Sequence, residues 1–506
     1  MLFLKDGGVV MAKFNYTNTI KTKNRSGNDA YAMNDKEQLV TASLTSMFGE
    51  PKYYGSTDNE IVSLAVKLCK NDPEFISKLA GYVRKEGNMR SISHVLTAVI
   101  AHEASKYTRI TIRNVVLRPD DMTEIMACYQ SMYGKPFPNA MKREFASVIQ
   151  KFDEYQIAKY NGGNKEIKFR DILRLTHPVP VNKEKEELFH KILNDSLATP
   201  YTWEVELSTR GNTKEVWDEL IASGRVGYMA LLRNLRNIIA SGAEIEPVLA
   251  IISDPVQVRK SRQLPFRFFS AYKTLEENGM ITPEIYRALD KAISSSIENM
   301  DKIKGRTLIA IDVSGSMSST VSSRSNVRCS DIASLLGAMA NRLCEDATVC
   351  YFTSRCDKND GYRIAHYGKY DSVLDIALKN SFAWGGTDLS LPMYFALNED
   401  KTRELKPFDR VIYFSDNECN SLIHNYIGRV YATVQGLVDE YRREYNKEFW
   451  VHAVDLQGYG TQQFHGKNFN VIAGWSEKVL PFINQAEAGI NTMVDMIENY
   501  ELSETI

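Results

Sequence analysis

The hydrophobic period of this chain changes once, after Lys304-Gly305, and that change restricts the folds open to it. Upstream, apolar residues recur at helical spacing. Asp72-Pro73 supplies a cap and a first-turn proline, and Phe75, Ile76, Leu79 and Val83 follow on one face. Ile92, Val95, Leu96 and Val99 continue the series, and the pattern predicts further helices over 121–133, 140–160, 169–175, 183–197, 213–223, 228–241 and 266–278. Gly134-Lys135-Pro136 and His177-Pro178 break it. Successive helical hairpins without a fixed sequence period predict a HEAT-like α-solenoid of degenerate repeats.

Downstream, short apolar runs alternate with amphipathic stretches. Strands are predicted over 308–311, 347–352, 410–415, 449–456 and 468–473. Helices are predicted over 331–344, 370–379 and 430–445, with a last one over 479–500. A βαβα order means a doubly wound sheet. The chain therefore divides into residues 1–34, 35–300 and 301–506. The first of these is polar, lacks an apolar period and reads as a flexible arm, with a basic RNA-contacting arm as the alternative.

Charge and cysteine usage exclude several classes. The net charge of −1 is shared unevenly, with a small basic excess before residue 300 and an acidic one after it. That is no polycation, so only local clustering could make a nucleic-acid surface. No apolar run approaches the roughly 20 residues of a membrane helix, and residues 1–10 lack the basic start and cleavage site of a signal peptide. Seven cysteines without a CxxC pair argue against a disulfide frame or a zinc site, and a cytosolic compartment follows.

Two constellations carry chemistry. In RTLIAIDVSGSM, a buried strand runs into a turn with Asp312, Ser314 and Ser316. Ligands of open α/β sheets gather at such strand ends, and an all-oxygen donor set suits Mg²⁺ better than zinc or copper. Gly385-Gly386-Thr387-Asp388 and the strand RVIYFS, ending in Asp416, bring further hydroxyls and carboxylates. The second constellation is basic. Lys135, Lys142, Arg143, Lys151, Lys159, Lys165, Lys168, Arg170 and Arg174 are interleaved with Tyr133, Phe137, Phe152, Tyr155, Tyr160 and Phe169. Basic groups can contact phosphates and aromatics can stack on exposed bases. The competing reading is a solvated face balanced by Glu144, Asp153, Glu154 and Glu166, with the aromatics in the core.

Asp312, Ser314, Ser316, Thr387 and Asp416 resemble the five positions of the metal-ion-dependent adhesion site of von Willebrand factor A domains. The stretches YGKPFP (133–138), KFDEYQ (151–156), RDILRLTHP (170–178), LLRNLRN (231–237) and RQLPFR (262–267) resemble the TROVE module. A TROVE module followed by one A domain is the arrangement of the Ro autoantigen family. That resemblance implies a ring of helical repeats closed by the A domain. Single-stranded 3′ ends of misfolded or structured noncoding RNA would enter its hole, and Y or Y-like RNA would bind its outer surface. Bacterial relatives tether an exoribonuclease, polynucleotide phosphorylase. Lys159 and His177 match positions implicated in RNA contact; the loop Asn161 to Asn164 is one residue longer, which shifts Lys165 against its match. His177 also reads as a capping histidine before Pro178. At the cation site the resemblance implies Mg²⁺ on Ser314 and Ser316, with Thr387 bound directly or through water, while Asp312 and Asp416 orient bound waters.

The reading that follows is a monomeric RNA-binding ring, not an enzyme. The alternative is a Mg²⁺-dependent protein-binding module whose helical half is a scaffold. A hydrolase is disfavoured because no poised base accompanies the hydroxyls, and His366 and His424 read as structural.

Overall fold

The computed structural model describes residues 20–25, 27–45, 56–162, 166–263, 265–298, 300–320, 327–355, 360–379, 384–402, 406–419, 433–474, 479–488 and 492–505. Lys165 and His424 lie outside them. A short hairpin, β1 (Lys21–Lys23) and β2 (Asp29–Ala32), comes first. Then follow α1 (Asp35–Thr45), α2 (Ser56–Asn71), α3 (Pro73–Lys85), α4 (Ser91–Glu103), α5 (Ser105–Val115) and α6 (Pro119–Tyr133). Next come α7 (Asn139–Val148), α8 (Glu154–Tyr160), α9 (Phe169–Thr176), α10 (Lys183–Leu193), α11 (Trp203–Arg210) and α12 (Lys214–Ala222). The series ends with α13 (Tyr228–Ser241), α14 (Glu246–Ser253), α15 (Pro255–Ser261), α16 (Pro265–Glu277) and α17 (Pro283–Ile297).

The first helices stack in two layers. α3, α5, α7 and α9 pack in sequence as one layer, and α2, α4, α6 and α8 as the other. Local chemistry sets the boundaries: Asp72 caps α3 by accepting from Phe75 N at 3.1 Å, with Pro73 at its first position. Asp121 ties three helices together. It accepts from Arg84 at 3.0 Å and Arg90 at 2.7 Å, and lies 3.0 Å from His94 Nε2. Its donors hold its pKa far below the usual carboxylate range despite burial, and His94 is held toward its neutral form by burial.

The helical series has two cores. Leu39 to Ile192 form one, while Val216 to Ile297 join the core on one face of the sheet. Between them α11 buries no residue. The α/β unit comprises β3 (Ile303–Asp312), α18 (Cys329–Leu343), β4 (Cys344–Phe352), β5 (Tyr362–Ala365), α19 (Val373–Lys379), α20 (Leu391–Thr402) and β6 (Arg410–Ser415). It continues with α21 (Val434–Glu444), β7 (Trp450–Asp455), β8 (Thr461–Gln462), β9 (Phe469–Ala473), α22 (Val479–Glu487) and α23 (Met493–Glu498). The main sheet has the order β5-β4-β3-β6-β7-β9, parallel except for β5. Alternation along β3 sends Ile309 and Ile311 into one core and Leu308 and Ala310 into the other, as a strand covered on both faces requires.

Two expectations need correction. Residues 20–34 are no loose arm: β2 pairs antiparallel with β8 of the α/β unit, and Asn24 Nδ2 donates to Cys419 O at 2.7 Å. Long-range pairing overrides the weak local strand preference there. The last helix is also two, α22 and α23, and α23 packs against α1 and α3 at the far end of the helical series. The six described cysteines are buried thiols. Among the described residues no helix is long and apolar enough to cross a membrane.

Candidate functional site

The expected cation ligands sit where β3 and β6 end side by side. Asp312 is fully buried, and both its oxygens are engaged: Oδ1 accepts from Ser314 N at 2.8 Å and Oδ2 from Ser415 Oγ at 2.6 Å. Ser314 Oγ and Ser316 Oγ lie 3.1 Å apart, the first buried and the second exposed, so the hydroxyl pair runs from interior to solvent. Thr387 is buried on the loop after Gly385-Gly386. That loop is stitched to its neighbours, with Trp384 N donating to Val313 O at 2.9 Å and Gly315 N to Gly385 O at 2.8 Å. Asp388 N donates to Thr353 O at 2.9 Å. The glycines serve this close approach: a Cβ on Gly315 would stand 2.9 Å from Gly385 O, and Gly385 itself has φ +72°.

Asp416 completes the set. It is 1% exposed; Oδ1 accepts from Glu418 N at 3.2 Å, while Oδ2 is buried without a hydrogen-bond partner. Burial, and then the charge of Asp312, push its pKa up to about 8, and burial pushes Asp312 up to about 6. Among the described residues no three His, Cys, Asp or Glu side chains group as metal ligands, so a cation here would rest on hydroxyls. An orphaned carboxylate oxygen beside two serine hydroxyls fits a hard divalent ion, which would neutralise the buried acids. Ser415, Thr353 and Asp455 were missed from the sequence. Asp455, fully buried with its pKa pushed up to about 6 by burial, ends β7 as Asp312 ends β3; that shared pattern, an apolar run closed by Asp, was the available signal.

The basic residues divide by helix. On the α3-α5-α7-α9 layer, Lys142 is half-buried and Arg143 exposed on α7, and Arg170 and Arg174 follow on α9. Lys135, Lys159 and His177 are exposed on loops or α8. Lys151 is exposed as a residue, but its ammonium donates to Val116 O and burial of that end lowers its pKa. His177 takes a left-handed conformation (φ 45°) as the C-cap of α9, its N–H bonding Leu173 O at 2.9 Å, so the capping reading holds for its backbone while its ring is exposed.

The interleaved acids divide: Glu144 and Glu154 are paired with other cations, while Asp153 and Glu166 are exposed and bonded to neutral donors. Glu144 is fully buried, accepting from Arg109 at 2.7 Å and Arg113 at 2.6 Å. Glu154 pairs with Lys191 at 2.6 Å, Glu166 accepts from Gln130 at 2.9 Å, and Asp153 caps α8 through Gln156 N at 2.7 Å. The aromatics split. Phe137, Phe152 and Phe169 are core, Tyr133 stacks on His102 at 3.8 Å, Arg118 lies over Tyr160 at 4.2 Å, and Tyr155 is exposed. Sequence reading also missed Lys106, Arg109 and Arg113 on α5, which recur at helical spacing.

An α-solenoid continued by a doubly wound sheet with an oxygen-donor cluster at its strand ends defines a helical-repeat protein with an A-type domain. The TROVE domain model matches residues 23–198 and 195–312, and the Ro60 vWA domain model matches residues 306–428. The chain belongs to the Ro family, a TROVE module followed by its A domain. It is 28% identical over 256 residues to RNA-binding protein RO60 of Caenorhabditis elegans, a match covering 47% of this chain and 36% of that one. It is 26% identical over 326 residues to telomerase protein component 1 of Rattus norvegicus, covering 47% of this chain and 12% of the relative. Both matches span well under two thirds of the relatives' own length. The crystal structure of the Deinococcus radiodurans RO (RSR) protein superposes with a TM-score of 0.61 at 16% identity, covering 90% of this chain and all of that one.

Proposed function

We propose that this chain binds RNA, through the basic face of the α7–α9 layer and the exposed cations beside it, and that it acts by binding rather than catalysis. The observation that carries the reading is that Lys142, Arg143, Arg170 and Arg174 share one layer, while two of the acids interleaved with them, Glu144 and Glu154, are paired with Arg109, Arg113 and Lys191. Relatives named as RNA-binding proteins support it. The positive face would make phosphate contacts, so affinity would fall steeply with salt.

The finer reading is an enclosure that admits single-stranded 3′ ends of misfolded or structured RNA, with Y or Y-like RNA on the outside and an exoribonuclease such as polynucleotide phosphorylase as a tethered partner. Its support is that the α/β unit touches both ends of the helical series: α17 packs on α18 and α19, and α23 on α1 and α3. An enclosed passage passes a strand and rejects a duplex. Filter binding tests this: a duplex with a 3′ overhang should bind more tightly than its blunt counterpart, and equal affinities would sink the 3′-end reading.

A second activity rests on Asp416 Oδ2. With Mg²⁺ held by Ser314, Ser316 and Thr387, the ion would supply a positively charged point for an acidic group of a protein partner. Asp312, fixed by Ser314 and Ser415, would orient bound water. Mg²⁺-dependent capture of a carboxylate-bearing partner, lost in Asp416→Ala, tests it.

A further inference from the structure

Residues 499–505 leave α23 without regular structure and lie in a groove between α3 and α5, the start of the layer that carries the candidate RNA face. Asn114 on α5 reads their main chain from both sides: Nδ2 donates to Ser503 O at 3.0 Å and Oδ1 accepts from Ser503 N at 2.9 Å. Arg113 Nη1 donates to Glu504 O at 2.6 Å, and Lys78 Nζ to Glu498 O at 2.7 Å. Leu502 packs where Gly81 has no side chain, and Tyr500 meets the Tyr82 ring edge-on at 5.5 Å.

The charges around the open space left between the helices and the segment, about 770 Å³ in volume, are unevenly sourced. The helices contribute Lys78, Lys106, Arg109 and Arg113 against Glu74; the segment and the end of α23 bring Glu498, Glu501 and Glu504. Arg109 and Arg113 share a single carboxylate, that of buried Glu144. Lys78 pairs with Glu74 at 2.7 Å and Arg113 with Glu144, and each gives a further N–H to a neutral carbonyl oxygen, Glu498 O at the end of α23 and Glu504 O in the segment. An anionic phosphate oxygen is a stronger acceptor for the same donors. α5 packs directly on α7, where Arg109 and Arg113 reach Glu144, next in sequence to Arg143.

We propose that the RNA surface continues from α7 onto α5, and that residues 499–505 are an acidic strap covering this end, displaced when RNA phosphates take over Arg113, Lys106 and Lys78. This rests on the RNA-binding reading above. Glu501 and Glu504 are exposed, so they lower the local potential without anchoring the strap; Asn114 and Leu502 anchor it.

The test uses the full chain and a single-stranded 20-mer RNA. Hydrogen exchange of residues 499–505 should accelerate when RNA is added. Asn114→Ala, which frees the strap, and Glu501→Gln/Glu504→Gln, which keeps its anchors, should each bind at least about threefold more tightly at low salt. Asn114→Ala should also steepen the log–log salt slope by about 0.7 for each added phosphate contact. Lys106→Ala in the Asn114→Ala background should remove the gain. RNA that binds through Lys142 while exchange at 499–505 stays unchanged and the strap variants keep wild-type affinity would overturn the strap but leave the RNA reading intact. Release of the segment by an acidic peptide but not by RNA would also overturn it. Failure of every variant to bind RNA would overturn both.

Discussion

Ser415 Oγ donates to Asp312 Oδ2 at 2.6 Å, tying together the ends of two adjacent strands from positions 103 residues apart. With Ser314 N on the other oxygen, each Asp312 oxygen already accepts one hydrogen bond, whereas Asp416 Oδ2 accepts none. The two acids thus divide positioning from reach. Removing the hydroxyl should loosen Asp312 without touching a ligand: Ser415→Ala is expected to weaken Mg²⁺ binding by about 10- to 100-fold. Titration calorimetry reads this; unchanged affinity would show that Asp312 needs no such tether.

Proton and cation should compete at the same place. Asp312 and Asp416 have pKa values raised to about 6 and about 8, so the folded state holds their protons more tightly than the unfolded chain does. Without a cation, their contribution turns against folding as pH rises from about 4 through 8. Mg²⁺ should relieve this, raising Tm more at pH 8 than at pH 6, and EDTA should restore the metal-free values. An equal Tm increment at both pH values would contradict the arrangement.

At the RNA face, Lys142→Ala/Arg174→Ala should weaken binding to unrelated single-stranded sequences alike and flatten the salt slope by about 0.7 per lost phosphate contact. Lys151→Ala should leave that slope unchanged, because its ammonium is given to Val116 O. Loss of preference for one sequence only would point instead to base readout.

These contrasts mark what a sequence can disclose here. Asp312, Ser314 and Ser316 were legible because a strand and its turn are local, and the placement of Thr387 and Asp416 follows from strand order in a doubly wound sheet. Nothing local shows that the Lys151 ammonium meets a carbonyl 35 residues away. Glu144 looked like surface ballast for the same reason; its partners are Arg109 and Arg113 of the preceding layer helix. The β1–β2 hairpin was unreadable, since its partner β8 is two residues long and lies at the other end of the chain. Two-residue pairing leaves no periodic trace.

Gly81 offers a separate check on the strap. An added Cβ would stand 2.7 Å from Leu502 Cδ2 and 3.5 Å from both Asn114 Cβ and Tyr500 Cε1. Leu502 is the flexible partner, so Gly81→Ala should expel it rather than distort α3, with a cost of about 1–3 kcal/mol if it stays. Proteolysis at 499–505 should speed up while the urea midpoint of the whole protein moves little. A large fall in that midpoint with the segment still protected would mean that α3 yields instead.

The acid sensitivity of the α/β unit should trace to Glu487. Its Oε1 and Oε2 accept from Arg410 at 2.6 and 2.8 Å, and His452 Nε2 lies 3.0 Å from Oε1. His452 is fully buried, and burial lowers its pKa, so its neutral ring donates to the carboxylate. Against the cost of burial, His452 and Arg410 hold Glu487 at about 2, below the ordinary glutamate value of 4.5. A depressed acid pKa stabilises the fold above the unfolded value and loses that contribution as pH falls through the folded one. Glu487→Gln leaves the buried Arg410 guanidinium without its counter-charge, at a cost on the order of 3 kcal/mol near pH 7. The gap between variant and wild type in urea unfolding should therefore close between pH 4.5 and 2, because only the wild type still has a charge to lose. A gap that stays constant across that window would show that Glu487 contributes packing and hydrogen bonds but no net charge pairing.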